Sequence, residues 1–475
     1  MRVEGGEGAD GHVSSTSGLG IEPEFSSFRD RAGFVFRCGG TIFRCVDHRY
    51  NRQYRHAVES GLFASCVADG LLLPFEEYDQ DFGLSQCHAV LKPVLVPQIT
   101  WPYEWCFEQL KDAALVTLRA HLRALQHGML LKDASSYNVQ MVAGRPCLID
   151  HLSFDFAADH VAWPAYGQFC RHFLAPLALM SRVDGGLGRM LQLHLDGIPL
   201  DLAARLLPFS TRFAPGLLMH LHLHARTIGR HAGDSQALKR RGMTIAQFSA
   251  IAASLEQTVR HLRFSERRTE WGDYDPAVSY SSAAEAAKLQ SVRTMAESVN
   301  PGVIWDVGGN DGTFSRPLAD LAQSIVCMDA DPAAVNRNYL ECKKAGATNV
   351  QPIIFDVGNP SPSIGFANRE RLSLAHRGKP DLVLALALIH HLAITHNLPL
   401  GYVSNWLASL CRNLIIEFVP KEDKQVGRLL LNRADVFDDY NEAGFRAEFS
   451  RHFDIERAVP IAESQRILFL MRRKG

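Results

Sequence analysis

A chain of 475 residues exceeds one ordinary domain, and its 47% apolar content is enough for packed cores, which excludes global disorder. Fifty Lys and Arg against 51 Asp and Glu leave a formal charge of −1, which removes the electrostatic case for a nucleic-acid binder beyond a local patch. The ten cysteines are scattered without a C-x-x-C pair, so neither a zinc site nor a disulfide framework is indicated, and reduced thiols in a cytoplasmic protein are expected.

Residues 1–30 are rich in Gly, Ser and acidic side chains and read as a flexible tail, without the basic start and apolar stretch of a secretory signal. Order is expected from Phe34, where Phe34-Val35-Phe36 and Thr41-Ile42-Phe43 flank Gly39-Gly40 as two strands and a turn. A strand-like run follows at 90–96, then a helix striped by Leu115, Leu118, Leu122 and Leu125. A second apolar helical region covers 169–180. The basic stretch 226–241 reads as a surface loop, with Lys239-Arg240-Arg241 either solvated or touching a phosphate. Thr244-x-x-Gln247 is a capping box that opens a helix buried along Ile245, Phe248, Ile251, Leu255, Val259 and Leu262. The polar stretch 265–274 marks the boundary between a front part, 31–265, and a second part, 271–475. No apolar run approaches the roughly 20 residues that cross a bilayer.

Beyond the boundary, helices and strands alternate. A helix at 283–298 precedes a strand at 303–307, and a helix at 313–321 precedes a strand at 324–328. The next helix has Asp331 as N-cap, Pro332 at its first position and Gly346 just past its end. Strands follow at 350–355, 381–386 and 413–418, and the chain closes on 453–462 and 467–472 as an antiparallel hairpin. Such alternation gives an α/β fold, a parallel sheet with helices on both faces.

The chemistry-bearing residues fall at the strand ends. Asp306-Val307-Gly308-Gly309-Asn310-Asp311-Gly312 follows the first strand and precedes a helix. Ligands of such sheets bind at the carboxyl ends of strands, where glycines let the backbone turn sharply. Asp329 ends the second strand, at the separation where an acidic residue receives ribose hydroxyls, and Asp356 ends the third, where a group facing adenine would sit. Three carboxylates at successive strand ends point to a nucleotide. The fourth strand runs into His390-His391-Leu392. An imidazole there either takes a proton from an acceptor hydroxyl or packs and hydrogen-bonds beside the ligand. Glu417, ending the fifth strand, is either catalytic or part of a structural ion pair.

On these residues the segment 271–475 resembles the class I S-adenosylmethionine-dependent methyltransferases. The resemblance implies a Rossmann-like seven-stranded sheet with an antiparallel last strand, and S-adenosyl-L-methionine as cofactor. It places the methionine part on the turn of Asp306, Gly308, Asn310 and Gly312, the ribose on Asp329 and the adenine by Asp356. Asn310 stands where the family has its middle glycine. A dinucleotide oxidoreductase is the rival reading, against which the terminal hairpin weighs. The Asn/Asp-Pro-Pro-Tyr of methyltransferases acting on exocyclic or amide nitrogen is missing after the fourth strand. The His-His-Leu found there is seen in methyltransferases of small molecules, lipids and RNA.

In the front part, Asp133, Asn138 five residues later and Asp150 after an apolar strand resemble the catalytic and metal loops of protein-kinase-like folds, closest to aminoglycoside-type phosphotransferases. That implies an α+β kinase-like domain over 31–265, with Asp133 orienting an acceptor hydroxyl and Asn138 and Asp150 holding Mg-ATP. Leu131 replaces the usual His, His151-Leu152 replaces Phe-Gly, and no Gly-rich loop or strand Lys–helix Glu pair is visible upstream. An active and a degenerate domain are therefore both open, with Lys132 the cation expected to balance the carboxylates if no metal binds. The two parts together resemble rhizobial host-specific nodulation proteins, which implies a role in decorating a symbiotic signal or surface glycan. Three functions stand: a methyltransferase of a hydroxyl-bearing small molecule or glycan, a bifunctional phosphotransferase–methyltransferase, and a non-catalytic nucleotide-binding scaffold. Oligomeric state leaves no signature in the sequence.

Overall fold

The computed structural model describes residues 20–158, 163–230, 244–265, 282–431 and 433–475. The tail up to residue 19, the Lys239-Arg240-Arg241 run and most of the 265–274 boundary lie outside the described residues.

The front sheet is antiparallel throughout, in the order Glu22–Pro23, Gly33–Cys38, Thr41–Asp47, Cys87–Pro93, Phe75–Glu77. The expected hairpin closes through Gly39 and Gly40, whose φ values of 57° and 79° are those a two-residue turn with left-handed residues needs. The expected tail ends earlier than residue 30. Glu22–Pro23 pairs with the hairpin and a 3-10 turn follows at Phe25–Ser27, because backbone pairing does not depend on composition. The strand expected over 90–96 is instead Cys87–Pro93. Pro93 has no amide to continue the ladder, and Val94 and Leu95 are exposed. Cys45 and Cys87, on neighbouring strands with Cα atoms 5.4 Å apart, form a disulfide. This corrects the expectation of reduced thiols throughout: strand pairing joins cysteines 42 residues apart that no short spacing links. The cysteine argument for the cytoplasm falls with it.

Behind this sheet, the Phe107–Gln126 helix buries Leu110, Leu115, Leu118 and Leu125 in the front core. It packs against the Ile245–His261 helix, which starts as expected: Gln247 N donates to Thr244 Oγ1 and Thr244 N to Gln247 Oε1. Between the two-stranded pair Met129–Leu131 and Phe154–Phe156 lies the hairpin Val139–Val142 with Arg145–Leu148. The apolar region near 169–180 is a continuous helical run, Tyr166–Arg182, with one wider π turn at Cys170–Leu174. Residues 226–230 extend a helix, His224–Arg230, rather than opening a loop.

The second part is a seven-stranded sheet made of β1 (Val303–Val307), β2 (Ser324–Asp329), β3 (Val350–Ile354), β4 (Leu382–Ala385), β5 (Asn413–Phe418), β6 (Phe453–Pro460) and β7 (Ile467–Arg473). The order is β3-β2-β1-β4-β5-β7-β6, with β1 to β5 parallel and β7 inserted antiparallel between β5 and β6. Strands buried on both faces are apolar throughout, as in Leu382-Val383-Leu384-Ala385. Trp305 and Val307 of β1 feed the core under the Leu400–Leu410 helix, while Ile304 feeds the opposite core under the Ser282–Val299 helix. The Pro332–Ala345 helix starts and stops as expected, with Asp331 Oδ1 accepting from Ala333 N and Gly346 left-handed at its end. The helix expected over 313–321 is a six-residue 3-10 helix, Arg316–Leu321. Pro317 has no N–H for the carbonyl of Thr313, so an α-helix cannot run through that stretch. No helix among the described residues is long and apolar enough to cross a membrane.

The sheet's outer strand, β3, faces the front half. Gln109 Nε2 donates to the carbonyl of Pro352 (2.9 Å), and Gln351 Nε2 to Thr100 Oγ1 (3.0 Å). Cys106 joins Val335, Tyr339 and Ile354 in a shared apolar cluster. Beside it Glu104 and Arg377 form a buried ion pair, 3% and 4% exposed, with Glu104 Oε2 also accepting from Trp101 N (2.8 Å) and Arg377 donating to the Ile99 carbonyl. Removing one member strands the other charge away from water, a loss of about 3–5 kcal/mol. Glu104→Ala should therefore lower unfolding stability by that order. Glu104→Ala with Arg377→Met should cost less than the sum of the two single changes. Chemical denaturation of the four proteins checks both statements.

Candidate functional site

The carboxyl ends of β1 to β4 open into one pocket. At the end of β1 the chain folds back, and the amides of Gly308 and Gly309 both donate to the Met328 carbonyl of β2 (2.8 and 2.9 Å). The turn is left-handed at Gly308 (φ 77°), Asn310 (φ 49°) and Gly312 (φ 79°). Asparagine tolerates that region better than most L residues, which accounts for Asn310 at a left-handed position of the turn. A β carbon on Gly308 would lie 3.1 Å from Leu388 Cδ1 across the pocket, and one on Gly309 would lie 2.6 Å from Asp306 Oδ2. On Gly312 it would fall 2.3 Å from Asn338 Oδ1 on the Pro332–Ala345 helix. Gly312 is not among the residues that line the pocket, and the space a side chain would need there is taken by Asn338.

Asp306, Asp329 and Asp356 all line this pocket. Asp306 Oδ2 accepts from Ser315 Oγ (2.5 Å), while Oδ1 is buried with no partner among the described residues. Burial pushes the Asp306 carboxyl up to about 6, against the pull of the Ser315 hydroxyl. Asp329 accepts from Asn310 N through Oδ2 and from Asp331 N through Oδ1, both at 2.9 Å, and burial pushes it too up to about 6. Asp356 Oδ1 accepts from Gly358 N (2.9 Å) and Asn359 N (3.2 Å), which closes the turn after β3. S-adenosylmethionine would bring an ammonium, two ribose hydroxyls and an exocyclic amine. An orphaned buried acceptor, two further carboxylates and the two successive glycines of the turn, Gly308 and Gly309, fit that set of donors.

The two histidines separate. His391 lines the pocket, as does His396, and burial lowers His391 to about 4. His390 is not a pocket residue. It is buried, its ring 4.1 Å from that of His391, and neither of its nitrogens has a hydrogen-bond partner among the described residues. Of the two expected roles it has the packing one, because the helical turn after β4 sends consecutive side chains in different directions. Glu417 takes the second of its two expected roles, the ion pair. It is fully buried, 2.6 Å from Lys288 Nζ and 3.3 Å from Arg466 Nη1, and accepts from Ala387 N (2.8 Å). Arg466 continues to Asp423 (2.7 Å). A carboxylate engaged by two cations and an amide is a structural ion pair, and it fixes the backbone next to Leu388, which lines the pocket. Lys288, Glu285 and Phe314 line the pocket without having been marked by any sequence signal.

In the front half, Asp133, Asn138 and Asp150 do come together. Asn138 Nδ2 donates to Ser153 Oγ (3.2 Å), and the Ser153 hydroxyl donates to Asp150 Oδ2. Asp133 Oδ1 accepts from Gln168 Nε2 (2.8 Å) and Ser135 N (3.0 Å). The balancing cation is Arg44, not Lys132. Arg44 Nη2, on the Thr41–Asp47 strand, lies 2.5 Å from Asp150 Oδ1 and 2.8 Å from Asp30 Oδ2. The Lys132 ammonium sits 4.4 Å above the Tyr50 ring instead. Burial works to raise Asp150, but Arg44 beside it holds the carboxyl below its ordinary value.

No protein-family model matches the chain. The nodulation protein NoeA of Rhizobium meliloti (strain 1021) is 35% identical over 461 residues, which span 94% of this chain and 95% of that one. Among solved structures, the chain is similar to the magnesium protoporphyrin IX methyltransferase ChlM of Synechocystis PCC 6803 with bound SAH. The identity is 19% and the TM-score 0.30, covering 40% of this chain and 84% of that one. It is similar to the N-methyltransferase NodS of Bradyrhizobium japonicum WM9 at 12% identity and a TM-score of 0.30, covering 41% and 98%. With WbdD the values are 16%, 0.29, 39% and 39%. Likenesses of this size carry no weight as to function.

An ionised carboxylate holds an ammonium or a ribose hydroxyl better than a neutral one, and Asp306 and Asp329 are raised to about 6. Affinity for S-adenosylmethionine should therefore rise as pH climbs through about 6 and flatten above it. Hydrogen bonds to a charged group contribute about 1.5–3 kcal/mol, so Asp329→Ala should weaken binding by roughly ten- to a hundredfold. Calorimetry at several pH values measures both effects. Unchanged affinity in a folded Asp329→Ala protein would remove the ribose assignment.

Proposed function

This chain belongs to the family of the nodulation protein NoeA, and we propose that it is an S-adenosyl-L-methionine-dependent methyltransferase. Its acceptor is a hydroxyl-bearing small molecule or glycan, modified as part of a nodulation signal or surface glycan. The observation that carries the reading is the convergence, in one pocket, of the Gly308-Gly309 turn, the unpartnered Asp306 Oδ1 and the Asp329 carboxylate. The antiparallel β7 between β5 and β6 supports a methyltransferase over a dinucleotide oxidoreductase, whose doubly wound sheet runs mostly parallel.

In this reading Asp306 and the 308–310 turn hold the methionine part, Asp329 the ribose and Asp356 the adenine side. Bound there, the cofactor supplies an electrophilic methyl group on a sulfonium. His391 is the pocket residue suited to accept the proton an acceptor hydroxyl gives up. Burial keeps its ring unprotonated at neutral pH, the form in which an imidazole can take up a proton. Glu417, Lys288 and Arg466 act at one remove, by holding the Ala387–Leu388 backbone that forms the pocket wall.

The front half reads as a kinase-like domain, over 31–265, with a degenerate phosphotransferase site. What favours this is the closure of its acidic cluster: the Asp150 oxygens go to Arg44 and Ser153, and the Asn138 amide goes to Ser153. Both Asp150 oxygens are thus taken up by protein groups, which weighs against Mg-ATP at this cluster.

Two experiments test the reading. Extracts of cells with and without the protein, compared by mass spectrometry, should differ by a product one methyl group heavier. His391→Gln should reduce that product by about a hundredfold or more while S-adenosylmethionine binding is kept. Full product formation by this variant would leave His391 as a packing residue. In the second, Mg-ATP should leave the melting temperature unchanged, and Asp150→Asn should alter stability alone. A Mg-ATP-dependent rise that Asp150→Asn abolishes would restore the bifunctional enzyme.

A further inference from the structure

One front-half loop lies beside the pocket on its nucleoside side, against residues that frame it. It is the 3-10 turn Gly185–Arg189, opened by Asp184, whose Oδ1 accepts from Gly186 N (2.8 Å). The turn is set firmly in place. A β carbon on Gly185 would lie 2.8 Å from the Phe264 ring and 3.5 Å from Pro332 Cβ, and one on Gly188 would lie 2.9 Å from Met180 Sδ. Pro332 opens the helix that follows Asp329, Ala330 and Asp331, three pocket residues. From the end of the same turn, Arg189 Nη2 reaches the Asn359 carbonyl (3.4 Å), and Nη1 stands 3.8 Å from Asp356 Oδ2. Asp356 spends its other oxygen on the amides of Gly358 and Asn359. The loop thus touches both walls of the nucleoside end: the segment after β2 and the turn after β3.

We propose that Arg189 is a positioning residue for cofactor binding, contributed by the front half. Its guanidinium orients the Asp356 carboxylate and anchors the 356–359 turn, so that the nucleoside end of the pocket is finished only when the halves are docked. Binding of the nucleoside and docking of the two halves are then linked, each favouring the other. The inference rests on the reading of this pocket as an S-adenosylmethionine site.

The side chains of Arg189 and Asp356 are 36% and 26% exposed, so their contact adds little to the stability of the ligand-free fold. Calorimetry on the full chain, with S-adenosylmethionine and separately with adenosine, tests the proposal. Arg189→Ala should weaken both by the same factor, about five- to tenfold, because what is lost lies at the end they share. Arg189→Lys should recover part of the loss, since the charge remains, and the ligand-free melting temperature should stay within a degree or two of wild type. Equal affinities of wild type and Arg189→Ala would overturn the proposal while leaving the cofactor reading intact. So would a loss equal in the Lys and Ala variants and matched by a lowered ligand-free melting temperature, which marks a merely structural role. Absence of S-adenosylmethionine binding by the wild-type chain overturns the cofactor reading and this proposal with it.

Discussion

An open sheet must do something with its outer strand, and here the front half covers β3. The amide of Gln109 on a β3 carbonyl, the Gln351–Thr100 contact and the buried Glu104–Arg377 pair meet a general need: an edge left bare is a template for pairing with other chains. The same contacts decide which side of the sheet the front half sits on. Because β3 also carries the turn with Asp356, covering this edge brings front-half side chains to the nucleoside end of the pocket and leaves the His391 side to other elements. The contact with Arg189 follows from that choice of edge.

A second constraint runs beneath the opposite end of the pocket. Glu417 is a charge with no access to water, and two cations and one amide make it tolerable. Lys288 comes from the helix before β1, Arg466 from the turn of the last hairpin just before β7, and the amide from just past β4. Three remote segments therefore depend on one carboxylate, and the backbone leading to His391 is fixed by electrostatics as much as by packing.

The alternating strands and helices of the second part were readable because each parallel strand is an apolar run and each turn has its own chemistry, as at Asp331, Pro332 and Gly346. The carboxylates at the ends of β1, β2 and β3 were readable for the same reason. What escaped was set by distance in the chain. Nothing near Glu417 in sequence announces Lys288, nothing near Asp150 announces Arg44, and nothing near Asp356 announces Arg189. The choice between His390 and His391 depended on a helical turn whose phase the letters do not give. Gly312 looked like its neighbours in the turn, but the pressure on it comes from Asn338, on the helix after β2. Over 313–321 the place between two strands calls for a helix, but the missing amide of Pro317 limits it to a short 3-10 turn.

The contacts between the halves also bear on what would happen if the backbone were severed between them. A protease cutting between Ser265 and Ser282 would break the covalent link and leave the Gln109, Thr100 and Glu104 contacts in place, together with the shared apolar cluster of Cys106, Val335, Tyr339 and Ile354. Two fragments held in this way would migrate together in size-exclusion chromatography. The covalent connection then serves mainly to raise the effective concentration of one half near the other during folding.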